Sequence, residues 1–202
     1  KDAIKKYLHD LNIQFYDSTE NTHVRGGGTA YTGPGQLVVC PVVDHTRITG
    51  HKLNTTRYKD MIDEIMVDIL KYYGIPALSA KVSSALPVNN DERKDRRDVW
   101  VMKEKPYKIG GKAVRFSGNV ASHGFSIYIS RNSIIHFNKI LVCGYSLDQL
   151  GVTSMEHELQ RNIDMKEVTE KTIDVIRERF GYDYISKVEL EDLMPVVVHN
   201  GI

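Results

Sequence analysis

Arg25-Gly26-Gly27-Gly28-Thr29-Ala30-Tyr31-Thr32-Gly33-Pro34-Gly35-Gln36 runs directly into Leu37-Val38-Val39-Cys40-Pro41-Val42-Val43. Five glycines fall in the eleven positions 26–36. Glycine costs backbone entropy, so a sheet protein keeps such a run only where main chain turns tightly or approaches something closely. Exposed amides there can hold an anion or a carbonyl oxygen. A wide hairpin between two strands would use the same residues. The apolar run from Gln36 to Val43 reads as a buried strand with Pro41 near its end, and Cys40 within it as a small buried hydrophobe. Neither nucleotide fingerprint is present: Gly-x-Gly-x-x-Gly can be forced onto Gly26-Gly27-Gly28 only without the strand–helix junction it needs, and no Gly-Lys-Ser/Thr occurs.

Outward from this junction, helices and strands mix without an internal repeat. Upstream, Ile4, Leu8 and Leu11 keep helical spacing over residues 1–11. Downstream, Tyr58, Met61, Ile62, Ile65, Met66, Ile69, Leu70 and Tyr73 line one face of a helix predicted over 57–73. Thr56 is its expected N-cap, and Gly74 with Pro76 stops it. Residues 83–97 are densely charged and predict a solvated loop. Short strands follow at Val99–Met102, Lys108–Ile109, Ala113–Phe116 and Phe125–Ile129. A last helix starts at Asp164, with Glu167 completing a capping box, and ends at Phe180 before Gly181. The pattern predicts an α+β fold, a mixed or antiparallel β-sheet packed by helices.

With 202 residues, the chain fits one domain, 1–202. Its net charge of +1, with both signs interleaved, gives no nucleic-acid footprint. No apolar run reaches the length of a membrane span. Two cysteines, at 40 and 143, argue against a disulfide framework or a zinc site. The chain opens at Lys1 rather than Met, so missing upstream residues are expected, and a targeting peptide is one thing they could contain.

Two further segments carry candidate chemistry. In Tyr107-Lys108-Ile109-Gly110-Gly111-Lys112-Ala113, Lys108 stands at the start of a strand among small residues. A lysine in a partly desolvated pocket loses its proton more readily and can serve as a base; an ordinary surface lysine fits the same residues. His123, next to Gly124, is a ligand, a base or a hydrogen-bonded structural histidine. None of the eight histidines keeps a zinc spacing, so no metal is expected. In Ile140-Leu141-Val142-Cys143-Gly144-Tyr145, Cys143 is either a buried hydrophobe or a nucleophile. The following Gly144 lets a ligand reach the backbone amides that could hold an oxyanion.

Taken in order, the three segments resemble the lipoyl (octanoyl) transferase family of the biotin/lipoate protein ligase fold. That family's Arg-Gly-Gly-x-x-x-Tyr-His-Gly-Pro-Gly-Gln is matched by Arg25, Gly26, Gly27, Tyr31, Gly33, Pro34, Gly35 and Gln36. Its catalytic lysine, fifteen residues before His-Gly, is matched by Lys108, His123 and Gly124 (123 − 108 = 15). Its Cys-Gly followed by a Val-Thr-Ser turn is matched by Cys143-Gly144 and Val152-Thr153-Ser154, and Trp100 resembles the strand before the lysine.

The resemblance implies an ATP-independent octanoyltransferase, with Cys143 as nucleophile and Lys108 as base. Donor and acceptor would be acyl carrier protein and the lipoyl domains of 2-oxoacid dehydrogenase complexes and glycine cleavage H protein. No cofactor is implied beyond the carrier's phosphopantetheine arm. The acyl chain would lie between Arg25, Gly26, Gly27, Gly28, Thr29, Ala30, Tyr31 and Thr32, the stretch Gly111-Lys112-Ala113, and the stretch Gly124-Phe125-Ser126. His123 and Gly144 would support the site. Departures from the family pattern are Thr32 in place of histidine, Lys112 in place of an apolar residue, Ala113 in place of glycine, Tyr128-Ile129-Ser130 in place of Asn-Val-Asn, and Leu141-Val142 in place of Asn-Pro. The charged insertion at 83–97 and this drift suggest a mitochondrial member, with a cytoplasmic one as the alternative. An ATP-dependent lipoate or biotin ligase of the same fold, and a non-catalytic homologue that only binds carrier or lipoyl domains, are the rival readings.

Overall fold

A computed structural model describes His9, residues 31–50, 54–79, 98–137 and 150–183, with Ser186 and Val188. Among them, β1 (Gln36–Val39), β3 (Ala77–Ser79), β4 (Val99–Met102), β5 (Pro106–Ser117) and β6 (Val120–Tyr128) form one sheet in the order β1-β6-β5-β4-β3. Two short strands join off this path: β2 (Val43–Asp44) on β6 and β7 (Gly151–Val152) on β5. Every pairing is antiparallel except β5 with β7. The helices are α1 (His45–Thr49), α2 (Thr55–Tyr72), α3 (Met155–Leu159) and α4 (Met165–Phe180). The predicted α+β class, a mostly antiparallel sheet with helices against it, is the one observed.

The α2 helix decides where the core lies. Tyr58, Met61, Ile62, Ile65, Met66, Ile69 and Leu70 are all buried, and they meet Val99, Val101, Ile109, Phe125 and Ile127 of the sheet in one cluster. The alternation Val99/Val101 and Phe125/Ile127 assigns one face of the sheet to α2. The α4 helix packs outside α2: Phe180 stacks on Tyr58 with ring centroids 6.0 Å apart, and Arg179 reaches Asp68 (2.7 Å from Nε) and Glu64. The cap of α4 is Asp164, as predicted, accepting from the Lys166 amide.

Three expectations need correction. The apolar run 36–43 is not one buried strand but two pieces at the sheet edge, β1 and β2, separated by Cys40-Pro41-Val42. Proline has no amide to give the ladder, so the strand parts there. Val38 and Val42 are exposed, and so is Cys40, which the sequence placed inside. The cap of α2 is Asn54 rather than Thr56, its side chain accepting from the Arg57 amide at 2.9 Å. Asn54, Thr55 and Thr56 are all capable caps, and the helix begins at the earliest of them. The fragments 108–109 and 113–116 belong to one continuous strand, β5, whose glycines hid its continuity. The helix expected over 1–11, apart from His9, and the loop expected over 83–97 lie outside the described residues.

Candidate active site

Lys108 lies on β5 at a break in register. Val99 pairs with Gly110, yet Trp100 pairs with Lys108, so Ile109 is an extra residue on β5 and forms a bulge. Its consequence is directional. A regular strand would send positions 108 and 111 to opposite faces. Here Ile109 joins the core, a Cβ on Gly110 would meet Met66 Sδ of α2, and a Cβ on Gly111 would lie 2.9 Å from Lys108 Cε and Nζ. Lys108 and Gly111 therefore share the face turned away from α2.

On that face Lys108 Nζ meets Asp98 Oδ2 at 2.7 Å, each side chain 13% exposed. Asp98 Oδ1 also accepts from the Lys112 amide at 3.4 Å. A second pair sits behind the sheet: Lys112 Nζ bonds Asp63 Oδ1 of α2, the side chains 8% and 2% exposed. Burial pushes the Asp63 carboxyl up to about 7, and the nearby Asp98 and Asp60 charges add to that against the pull of Lys112. Asp63 Oδ2 is buried with no hydrogen-bond partner. Two lysines and three carboxylates thus cluster around β5.

The Val152-Thr153-Ser154 turn of the third motif meets the second motif at Lys108. Strand β7 runs parallel to β5 with Val152 beside Lys108, and the Thr153 amide donates to the Lys108 carbonyl at 2.9 Å. Ser154 then caps α3, its hydroxyl accepting from the His157 amide. The two predicted acyl-slot stretches are direct neighbours: Gly111 pairs with Ser126, Lys112 with Phe125, and Ala113 with Gly124. Period-two alternation divides them. Phe125 lies in the core and Lys112 on Asp63, so only their backbone belongs to the Lys108 face. A Cβ on Gly124 would strike the Val39 carbonyl oxygen and lie 2.6 Å from Pro41 Cδ, so this glycine admits the end of β1. His123, just before it, takes a left-handed backbone (φ 61), with Nδ1 3.3 Å from Ser122 Oγ.

From the first motif, Gln36 Nε2 donates to the Tyr31 carbonyl at 3.2 Å and to the Ser133 carbonyl at 3.1 Å. The Ile129 and Ser130 amides both donate to the Gly35 carbonyl. The Gly33-Pro34-Gly35-Gln36 segment is thereby pinned to the exit of β6. Tyr31 sits edge-on to His136 and Phe137, in an apolar cluster with Tyr128, Ile134 and Val152; burial raises its phenol above the usual range. The cluster lies beside Lys108, since Val152 is the strand neighbour of that lysine. Thr32 is exposed. Cys143, Gly144, Arg25, Gly26, Gly27, Gly28, Thr29 and Ala30 lie outside the described residues.

Asp98 and Asp63 are the site residues that the sequence reading missed. Asp98 follows directly on the charged run 83–97 and was given no role of its own. Asp63 did carry a signal, a carboxylate three residues after Asp60 inside a helix buried on nearly every side.

A family profile described as lipoyl protein ligase A/B catalytic domain matches residues 5–177. An octanoyltransferase of Koribacter versatilis is 31% identical over 175 residues, 85% of this chain and 61% of that protein. One from Caldicellulosiruptor saccharolyticus is 29% identical, over 98% of this chain and 74% of its own length. One from Rubrobacter xylanophilus is 31% identical, over 89% and 68%. The chain thus spans roughly three-fifths to three-quarters of the curated relatives it matches. Among solved structures, lipoate-protein ligase A bound with ATP aligns with TM-score 0.64 at 16% identity, over 94% of this chain and 68% of that one. The bi-partite lipoate protein ligase of Thermoplasma acidophilum aligns with TM-score 0.59 at 14% identity, over 94% and 67%. At such identities these likenesses speak for the fold alone. From the profile match and the sequence relatives, the chain belongs to the lipoyl protein ligase A/B catalytic domain family.

Proposed function

We propose that the chain transfers an octanoyl group from acyl carrier protein to a lysine of a lipoyl domain, through a thioester on Cys143, with Lys108 as the base. The observation that carries this reading is the meeting of the lysine motif with the Val152-Thr153-Ser154 turn, at a half-buried Lys108 beside an apolar cluster. The names of the sequence relatives favour the transferase over the ligase.

The chemistry balances in two steps. A free thiol with pKa of about 8.5 is mostly protonated at neutral pH, so the Cys143 Sγ–H proton passes to Lys108 Nζ. The thiolate attacks the carrier thioester; the carrier sulfur leaves and takes the proton from Lys108, and acyl-Cys143 remains. The ε-amine of the acceptor lysine then attacks the new thioester. Lys108 removes a proton from it, the amide forms, and the Cys143 sulfur departs to be reprotonated. Thioester-to-amide transfer runs downhill, which is why neither ATP nor a metal is called for. Tyr31, Tyr128, Phe137 and Val152 offer the apolar contact an eight-carbon chain needs.

Incubation with octanoyl carrier protein and a lipoyl domain, without ATP or magnesium, should give octanoylated acceptor by mass spectrometry. Lys108→Arg keeps the charge but supplies no usable base, so transfer should fall by roughly a hundredfold with folding retained. Near-normal turnover of Lys108→Arg would remove the base. Transfer from free octanoate and ATP, with the carrier thioester inert, would replace the reading with the ligase.

A further inference from the structure

We propose that Asp98 is a positioning residue for Lys108, and that position 111 is glycine to admit the pair those two side chains form rather than to admit substrate. The assignment of Lys108 as the base is taken from the proposed function; the geometry around it is not.

Lysine spreads its rotamer freedom over a four-carbon stem, so an unrestrained Nζ would seldom stand where a proton has to be taken. Asp98 removes that freedom. Its carboxylate is held at one oxygen by the Lys112 amide and presents the other to Lys108 at 2.7 Å. The bulge at Ile109 turns Lys108 onto the face of Gly111, and the lysine folds back across that glycine. A Cβ there would stand 2.9 Å from both Cε and Nζ and 3.1 Å from Asp98 Oδ1. The two lysine contacts are closer than a carbon sits to such atoms and the third is tight, so a side chain at 111 would push the end of Lys108 off this position. The space that glycine leaves is already filled by the chain's own acid and base.

The carboxylate also bears on the charge. When Lys108 takes a proton it becomes an ammonium, and Asp98 is the anion beside it. The logic resembles the aspartate of a serine protease triad, which orients the base and stabilises its cation without being protonated. Among the described residues, Lys112 on β5 and Asp63 on α2 bring charge next to this pair, with Asp60 beside Asp63. Lys112 ties them together: its amide holds Asp98 and its ammonium holds Asp63 across the sheet.

The test compares the parent with Asp98→Asn, Asp98→Glu and Gly111→Ala, all checked by thermal melting. Two measurements are made on each. One is the pH dependence of Lys108 labelling by an amine-reactive reagent, followed on its peptide by mass spectrometry; it needs no acyl transfer. The other is kcat and KM for octanoyl transfer across the same pH range. Losing the neighbouring anion frees the neutral amine at lower pH, so Asp98→Asn and Gly111→Ala should move the Lys108 labelling curve down by about one pH unit. Their kcat should drop about tenfold or more, with KM for the carrier little changed. Asp98→Glu should recover part of both. If the labelling curves of folded variants coincide with that of the parent, Asp98 only shapes the strand and the proposal is overturned. If the parent shows no octanoyl transfer, the proposed function falls, and the labelling curves still decide this one.

Discussion

Asp63 is a carboxylate whose side chain is 2% exposed, and its surroundings make charge expensive there. Burial holds it up at about 7, well above the unfolded value of about 3.9. Between those two values the folded chain binds more protons than the unfolded one, so this group's contribution is fully present at low pH and fades as pH rises from about 4 to about 7. Asn at position 63 has no such slope. Denaturant unfolding across that range should therefore show Asp63→Asn gaining on the parent as pH rises, whatever constant offset comes from losing the carboxylate beside Lys112. A parallel pair of curves would place the titration elsewhere. Thr32 represents the opposite case, a departure from the family pattern that the structure leaves exposed. Thr32→His and Thr32→Ala should both keep the parent's transfer rate and pH profile, and a new titration near pH 6.5 in the histidine variant would put the side chain back in the site. Lys108 was legible as a candidate because its spacing to His123 is written in the chain. Asp98 was not, because a carboxylate beside Arg96 and Arg97 has the same letters whether it is solvated or turned inward.

At the scale of elements, what the sequence conveyed best was period. The stripe on α2 and the limits of α4 follow from helical spacing and caps, and both helices lie where those signals put them. Boundaries chosen among equivalent residues were less secure. The side chain of Asn54 satisfies an orphan amide of the first turn, whereas Thr56 lies inside the helix. Asn54→Ala should then cost about 1 kcal/mol, with Thr56→Ala within a few tenths, in urea unfolding. The reverse order would return the cap to Thr56. Strands β3 and β7 escaped the reading, since two or three residues are too few to show alternation. They exist because a neighbour offers a free edge. The break at Pro41 was written in the sequence; that the chain would rejoin the sheet as β2 on the far side of it was not.

For the molecule as a whole, the sheet separates two tasks. One face is buried under α2 and, behind it, α4; the other carries Lys108, Asp98 and the Tyr31–Phe137 cluster. Residues on the helical side should therefore be worth stability more than chemistry. Phe180→Ala removes the ring stacked on Tyr58 and should cost about 3 kcal/mol, while the kcat of the folded fraction stays near that of the parent. A loss of kcat larger than the loss of folded protein would show that α4 reaches the site. Lys112 is the exception to this division, since it starts on the strand that bears Lys108 and ends in the helical layer. Cys40 has a different bearing, on stoichiometry. It is a free thiol at the surface, at the exposed end of an edge strand. Thiols in that position exchange acyl groups with any thioester in solution, and do so without a site. One hydroxylamine-labile octanoyl group per chain therefore names no residue while both cysteines are present. In a Cys40→Ser background the same count names Cys143.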